Sequence, residues 1–275
     1  MKKILILGSN GMAGHLLMEY FKDKNEYELF GLLEENFFSS DYDFEKQIKK
    51  YKPNLIINTL RLVVQECEDH PKKAIFINSF IPRFIEKLFY HSEVKIIHLS
   101  TDCVFSGDRG NYSEIDLPDG SSIYSMTKTC GEIINEKDLT IRTSYIGPNI
   151  INKNEELFDW FMKQNEEIEG FQSAIWNGVT TLELAKKIKQ SIDKNCCGLY
   201  HLCSNEKISK YDLLLKMKKQ WGRNTIKINK THGQKINRSL VDNRQELRVT
   251  QYKKMFKELY KFMKERDNIY GYYNY

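Results

Sequence analysis

The sequence predicts an α/β fold built on a doubly wound parallel sheet. Two observations carry this. Short apolar runs alternate with amphipathic stretches through the first half of the chain, as strand–helix–strand units require. The first of these runs leads directly into a glycine-rich turn that opens a helix.

The elements follow in order. Residues 4–7 are apolar throughout and read as a buried strand. A helix starts near Gly11 and places Leu16, Leu17 and Tyr20 on one face. A second strand covers 27–33, a helix covers 44–51, and Pro53 precedes a third strand at 55–57. A longer helix spans 73–90. The strand 94–99 follows, then a loop rich in Gly, Asp and Ser. Residues 124–135 read as helix and 139–141 as strand. Beyond Gly147-Pro148 the pattern loosens. Helices are expected at 155–164, at 180–192 with Thr180 or Thr181 as cap, from Ser209 through Gln220, and at 251–266. A short strand is expected at 198–203, and the Tyr-rich tail is expected to fray. This organisation divides into a cofactor domain, 1–147, and mainly a substrate-binding lobe, 148–275, whose returning segments could extend the sheet.

Composition narrows the function. The 275 residues are 41% apolar and 29% charged, an ordinary globular balance. The net charge of +5 comes from lysines scattered among acids, with no basic block interleaved with aromatics, so nucleic acid is not an expected partner. Mild positive charge does suit an anionic substrate such as a nucleotide diphosphate. No apolar run is long enough for a membrane span or a secretory signal. The six cysteines, at 67, 103, 130, 196, 197 and 203, follow neither a disulfide framework nor metal-ligand spacing. A cytoplasmic protein with reduced thiols and no metal is expected, and a homodimer is one assembly open to it.

The turn Gly8-Ser-Asn10-Gly11-Met12-Ala-Gly14 points to a dinucleotide. Glycine supplies the angles of a tight strand-to-helix turn and lets backbone approach a pyrophosphate, which the helix N-terminus then attracts. The spacing is GxxGxxG, the form found in extended short-chain dehydrogenases and reductases, which makes the expected domain Rossmann-like. A ribose-reading residue belongs about 20 positions further on, where Glu34 stands. Residues 25–45 hold no Lys or Arg to receive a 2′-phosphate, so the reading is NAD(P)H with a lean to NADH.

The strand 94–99 runs into Ser100-Thr101-Asp102-Cys103, at the carboxyl end where ligands bind in such sheets. Downstream, Tyr124 and Lys128 share one helical face. A free phenol titrates near pH 10, too high for proton exchange at neutral pH, and a nearby ammonium lowers it. The Thr101 hydroxyl can then hold a substrate oxygen beside that phenol.

The segment His98-Leu-Ser-Thr-Asp-Cys-Val-Phe-Ser-Gly107, with Tyr112-Ser-Glu114, Tyr124-x-x-x-Lys128, Gly131-Glu132 and Arg142-Thr-Ser144, resembles the dTDP-4-dehydrorhamnose reductase family. The likeness is strongest over 94–147 and continues through Trp160, Trp176-Asn-Gly178 and Gly198-Leu-Tyr-His. It implies a sheet of about seven strands and a catalytic set of Thr101, Tyr124 and Lys128. It places Ser100 and Asn78 near the cofactor, together with Asn58, Thr59 and Leu60, where this chain departs from the run of small residues expected. Arg61 follows them, able to reach a phosphate or point to solvent. The implied substrate is a nucleotide-linked 4-keto-6-deoxy sugar, with Thr101, Asp102, Cys103, Trp160, Trp176 and Arg238 as candidate contacts. Three functions stay open: a 4-ketoreductase, a bifunctional 3,5-epimerase/4-reductase using Cys103 and Lys163, and a non-catalytic binding subunit. Cys103, in place of an acid after Asp102, argues against a 4,6-dehydratase.

Overall fold

The computed structural model describes residues 1–33, 41–151 and 156–273. Its centre is a six-stranded sheet. The first five strands in the chain are β1 (Lys2–Leu7), β2 (Tyr27–Leu32), β3 (Leu55–Asn58), β4 (Lys95–Thr101) and β5 (Leu139–Thr143), and the sixth is Gly198–His201. The order across the sheet runs from Gly198–His201 through β5, β4, β3 and β1 to β2. β1 pairs in parallel with both β2 and β3, and β3 with β4. The count falls one short of the seven or so implied by the resemblance. Among the described residues only one helix, α2 (Asp41–Lys50), lies between β2 and β3, and no further strand follows β2 at that edge. The chain therefore steps from β2 straight across β1. This reversal opens a crevice at the carboxyl ends of β1 and β3, where such sheets bind ligands.

Burial explains the strands. Ile4 through Leu7 and Leu55 through Ile57 are almost wholly buried, as a sheet covered on both faces demands. Helix α1 (Met12–Lys22) buries Leu16, Leu17 and Phe21. The helix expected over 73–90 is a longer run in three parts. It comprises α4 (Pro71–Ala74), a π-helical turn (Ile75–Phe80) and α5 (Ile81–Leu88), and it follows the short helix α3 (Val64–Asp69), which the sequence pattern does not reveal. The catalytic-helix candidate α6 (Ile123–Cys130) stops five residues before its expected end. Its C-cap is Gly131, where a Cβ would stand 1.9 Å from the Asn78 carbonyl oxygen, so only glycine lets the helix end pack this closely on the π-helical turn.

Two compact units interleave along the chain. The first holds 1–106, 117–142 and 188–200, and the second holds 107–116, 143–187 and 201–275. The second contains α7 (Leu157–Lys163), most of α8 (Thr181–Asp193), α9 (Lys210–Gln220) and α10 (Tyr252–Lys264). Thr180 Oγ1 accepts from the Glu183 amide and Ser209 Oγ from the Asp212 amide, so both expected caps are made. Short strands that periodicity does not anticipate also build this unit: Glu167–Phe171 beside Lys227–Thr231, Ala174–Trp176 between Ile208–Ser209 and Ile236–Asn237, and Tyr145–Ile146 beside Val179–Thr180. The described part of the Tyr-rich tail, through Tyr273, does not fray. Asp267–Tyr270 and Gly271–Tyr273 form two short helical turns, and Tyr270 and Tyr273 are buried.

Candidate active site

The glycine turn is held from two sides. Gly8 has φ +75° and its amide bonds the Leu32 carbonyl, while the Gly11 amide closes the turn on Gly8. A Cβ at Gly14 would lie 2.0 Å from the Gly8 oxygen, so only glycine lets the first turn of α1 pack against the end of β1. Thr59 Oγ1 donates to the Leu7 carbonyl at 2.7 Å and lies 3.0 Å from where a Gly8 Cβ would stand. The N-terminus of α1 has no side-chain cap at Gly11 and no acid in its first turn, so its amide groups and positive dipole end suit a pyrophosphate. Met12 is buried and Asn10 half-buried. These residues fit a dinucleotide.

The loop after β3 borders that turn. Asn58 is fully buried. Its Oδ1 accepts from the Leu60 amide at 3.1 Å and its Nδ2 meets His98 Nδ1 at 3.1 Å. Asn78, in the π-helical turn, accepts from the Leu62 amide at 3.0 Å and donates to Thr127 Oγ1 at 3.2 Å. Both asparagines thus hold the loop 58–62 through their Oδ1 atoms, while Asn58 also reaches His98 of β4 and Asn78 also grips α6. The π-helical turn supplies a further clamp, because Ser79 Oγ donates to the Thr127 carbonyl at 2.7 Å.

At the end of β4, Thr101 Oγ1 accepts from the Cys103 amide at 3.1 Å and donates to Asp102 Oδ1 at 3.3 Å. Helix α6 begins beside it. Ser122 caps α6 through the Ser125 amide, and Glu68 of α3 accepts from the Ile123 amide at 3.1 Å. Tyr124 is buried against Leu62, Cys67 and Ala74, and Cys103 and Ile123 pack on the same group. One turn on, Lys128 is 1% exposed and its Nζ donates to the Leu99 carbonyl at 2.7 Å. Burial pushes the Lys128 ammonium down to about 7, Glu132 pulls it back up, and the Arg61 charge adds to the fall. Arg61 therefore stands within electrostatic reach of Lys128. Ser100 directs its hydroxyl to Glu132 at 2.7 Å. The first unit thus brings together the glycine turn, the loop 58–62, Asn78, the strand end Ser100 to Cys103, Tyr124 and Lys128.

A family model described as the RmlD substrate binding domain matches residues 1–261. The chain belongs to this RmlD family. It is 26% identical over 234 residues to a dTDP-4-dehydrorhamnose reductase of Aggregatibacter actinomycetemcomitans, with 78% of each chain covered. It is 25% identical over 236 residues to the spore coat polysaccharide biosynthesis protein SpsK of Bacillus subtilis, covering 82% of this chain and 81% of that protein. Among solved structures, the dTDP-4-dehydrorhamnose reductase of Bacillus anthracis in complex with NADP matches with a TM-score of 0.84 and 20% identity. The match covers 94% of this chain and 99% of that one, and at that identity it speaks for a shared fold.

The remaining candidates in this RmlD-family chain sit elsewhere. Glu34 lies outside the described residues. Lys163 closes the last turn of α7 in the second unit and is exposed. Trp160, on the same helix, is half-buried. Trp176 is in the core of that unit: its Nε1 donates to Ser144 Oγ at 2.8 Å, its ring stacks on Tyr252 at 5.5 Å, and Lys210 Nζ lies over it at 5.3 Å. Arg238 is half-buried beside Gly107, whose missing side chain leaves room for the arginine stem. Sequence reasoning does not reach Glu68 and Ser79 as supports of α6. Their only signal is position within a helical run, which surface residues share. No helix among the described residues is long and apolar enough to cross a membrane.

Proposed function

We propose that this chain reduces the 4-keto group of a dTDP-linked 4-keto-6-deoxy sugar, as a step toward a deoxysugar precursor of surface polysaccharide. Membership of the RmlD family supports this substrate class, as do the functions for which the relatives are named. The observation that carries the chemistry is the dry Lys128 ammonium one turn beyond Tyr124, on a helix seated at the end of β4.

A reduced nicotinamide cofactor, when bound, supplies the hydride. The chain's own residues do the rest. Tyr124 gives its phenolic proton to the carbonyl oxygen as that oxygen gains charge. The Lys128 ammonium stabilises the phenolate left behind and holds the nicotinamide ribose. Thr101 turns its hydroxyl from Asp102 to the same carbonyl oxygen, fixing the substrate for transfer. Cys103 packs beside Tyr124, and in this reading it serves as a wall of the site while the activity is simple reduction, the reaction for which the relatives are named.

NADH is the preferred cofactor in this reading. A 2′-phosphate needs a cation near the end of β2, and residues 25–45 offer none, while Glu34 and Glu35 would repel it. The test follows consumption of reduced nicotinamide with a panel of dTDP-4-keto-6-deoxy sugars, using NADH and NADPH in turn. Turnover with at least one keto-sugar, at a higher kcat/KM for NADH, is expected. No turnover with any of them refutes the reaction. A clear preference for NADPH refutes the cofactor reading alone and directs attention to Lys46 or Arg61.

A further inference from the structure

Glu132 lies four residues beyond Lys128, just after the close approach of Gly131 to Asn78. Its carboxylate is almost fully buried, and side chain and backbone together join three elements. Arg142 of β5 grips it with both arms of the guanidinium, Nε to Oε1 at 2.7 Å and Nη2 to Oε2 at 2.8 Å. Ser100 of β4 donates to Oε1 at 2.7 Å. Arg83 of α5 donates to the Glu132 carbonyl at 3.0 Å. Arg142 in turn lies over the Phe105 ring at 5.1 Å.

Such a pair is a weak device for stability, because an apolar pair of the same volume usually serves as well. Its position suggests another purpose. Besides the Tyr124 phenol one turn earlier on its own helix, four ionisable groups act on Lys128: Arg61 from the loop after β3, Cys67 from α3, His98 from β4, and Glu132. Burial holds the Cys67 thiol protonated and keeps the His98 ring neutral. Arg61 is a cation. Among these described residues, Glu132 alone offers Lys128 a negative charge.

We propose that Glu132 is a positioning residue for the reduction: shared between Arg142 and Ser100, it ties the Tyr124–Lys128 helix to the strand end bearing Thr101 and sets a fixed negative charge beside Lys128. The proposal rests on the reaction read above. Ser100, expected from the sequence as a cofactor contact, acts through its hydroxyl on this tie.

Four variants test it, each followed by the pH dependence of kcat/KM and of reduced-cofactor binding. In Glu132→Gln the Lys128 proton is lost more easily. The alkaline limb of both profiles then moves toward acid by on the order of one pH unit. The double variant Glu132→Gln/Arg142→Met leaves no unpaired buried arginine and carries the same test if the single variant fails to fold. Glu132→Asp keeps the charge and returns the limb to its wild-type place. Ser100→Ala loosens the tie without moving charge, so kcat falls about fivefold, the equivalent of one hydrogen bond, with the limbs unmoved. Folded charge variants with wild-type limbs overturn the electrostatic role, and wild-type kcat in Ser100→Ala overturns the positioning role. A wild-type protein that reduces no keto-sugar, but whose cofactor-binding limb shifts in Glu132→Gln, refutes the reaction and keeps Glu132's part. Turnover with unmoved limbs does the reverse.

Discussion

Tyr124 and Lys128 illustrate what a single residue can and cannot announce. Their spacing by four puts them on one helical face from sequence alone, and the fold adds the reason they matter. Lys128 is sealed from water, with its Nζ on the Leu99 carbonyl and its ammonium brought down to about 7 by burial. An ammonium so placed acts on a neighbouring phenol far more strongly than a solvated one. Tyr124→Phe keeps the ring that packs on Leu62, Cys67 and Ala74 and removes only the acid. Cofactor binding should survive, while turnover falls at least ~10²-fold, the usual scale for losing a general acid. Stopped-flow oxidation of bound reduced nicotinamide measures it, and near-wild-type turnover would remove Tyr124 from the mechanism. Residue-level reading leaves Trp176 open between core and cleft. An indole in the second half of the chain is a reasonable sugar platform, but this one spends its N–H on Ser144 and its face on Tyr252. A single sequence does not distinguish an aromatic that packs from one that binds.

At the scale of elements, long periodic segments are legible and short ones are not. β1, β3, β4 and α9 lie within two residues of their expected bounds, and α1 starts within one residue of Gly11, because each buries an apolar run or has a clear cap. The π-helical turn at Ile75–Phe80 and helix α3 carry no such signature, yet they hold Asn78, Ser79 and Glu68 against α6. The tail departs from expectation because tyrosines near a terminus look solvated. Here Tyr273 gives its hydroxyl to Asp159 Oδ1, and Tyr272 donates to the Asn149 carbonyl at 2.7 Å. Asp159 is fully buried, and its Oδ2 has no hydrogen-bond partner among the described residues. Burial pushes its carboxyl from 3.8 up to about 6, against the bonds from Tyr273 and Asn149. The folded chain thus holds this proton more tightly than the unfolded one. That stabilisation is complete below the unfolded value and is lost as pH rises through about 6. Asp159→Asn cannot ionise, so its melting temperature relative to wild type should climb from about pH 4, through about 6, and then level off. Thermal scans across that range check this, and a difference independent of pH contradicts it.

At the scale of the whole molecule, the alternation of strands and helices identifies the doubly wound sheet. The resemblance implies about seven strands, and the described residues hold six of them, with one described helix between β2 and β3. The interleaving of the two units is harder to read. It depends on pairings between strands of two to five residues far apart in the chain, which leave almost no periodic trace. The reacting groups escape this difficulty, since the glycine turn, the β4 end and α6 all fall within the first unit. Centrally, this unit is proposed to direct hydride to the C4 carbonyl of the sugar. The direct measurement is one turnover with reduced nicotinamide deuterated at the transferring position, in ordinary water, followed by NMR of the sugar product. One deuterium at C4 of the sugar, and none at C3 or C5, is the predicted result. Oxidised cofactor without label at C4, or keto-sugar recovered unreduced, would contradict it.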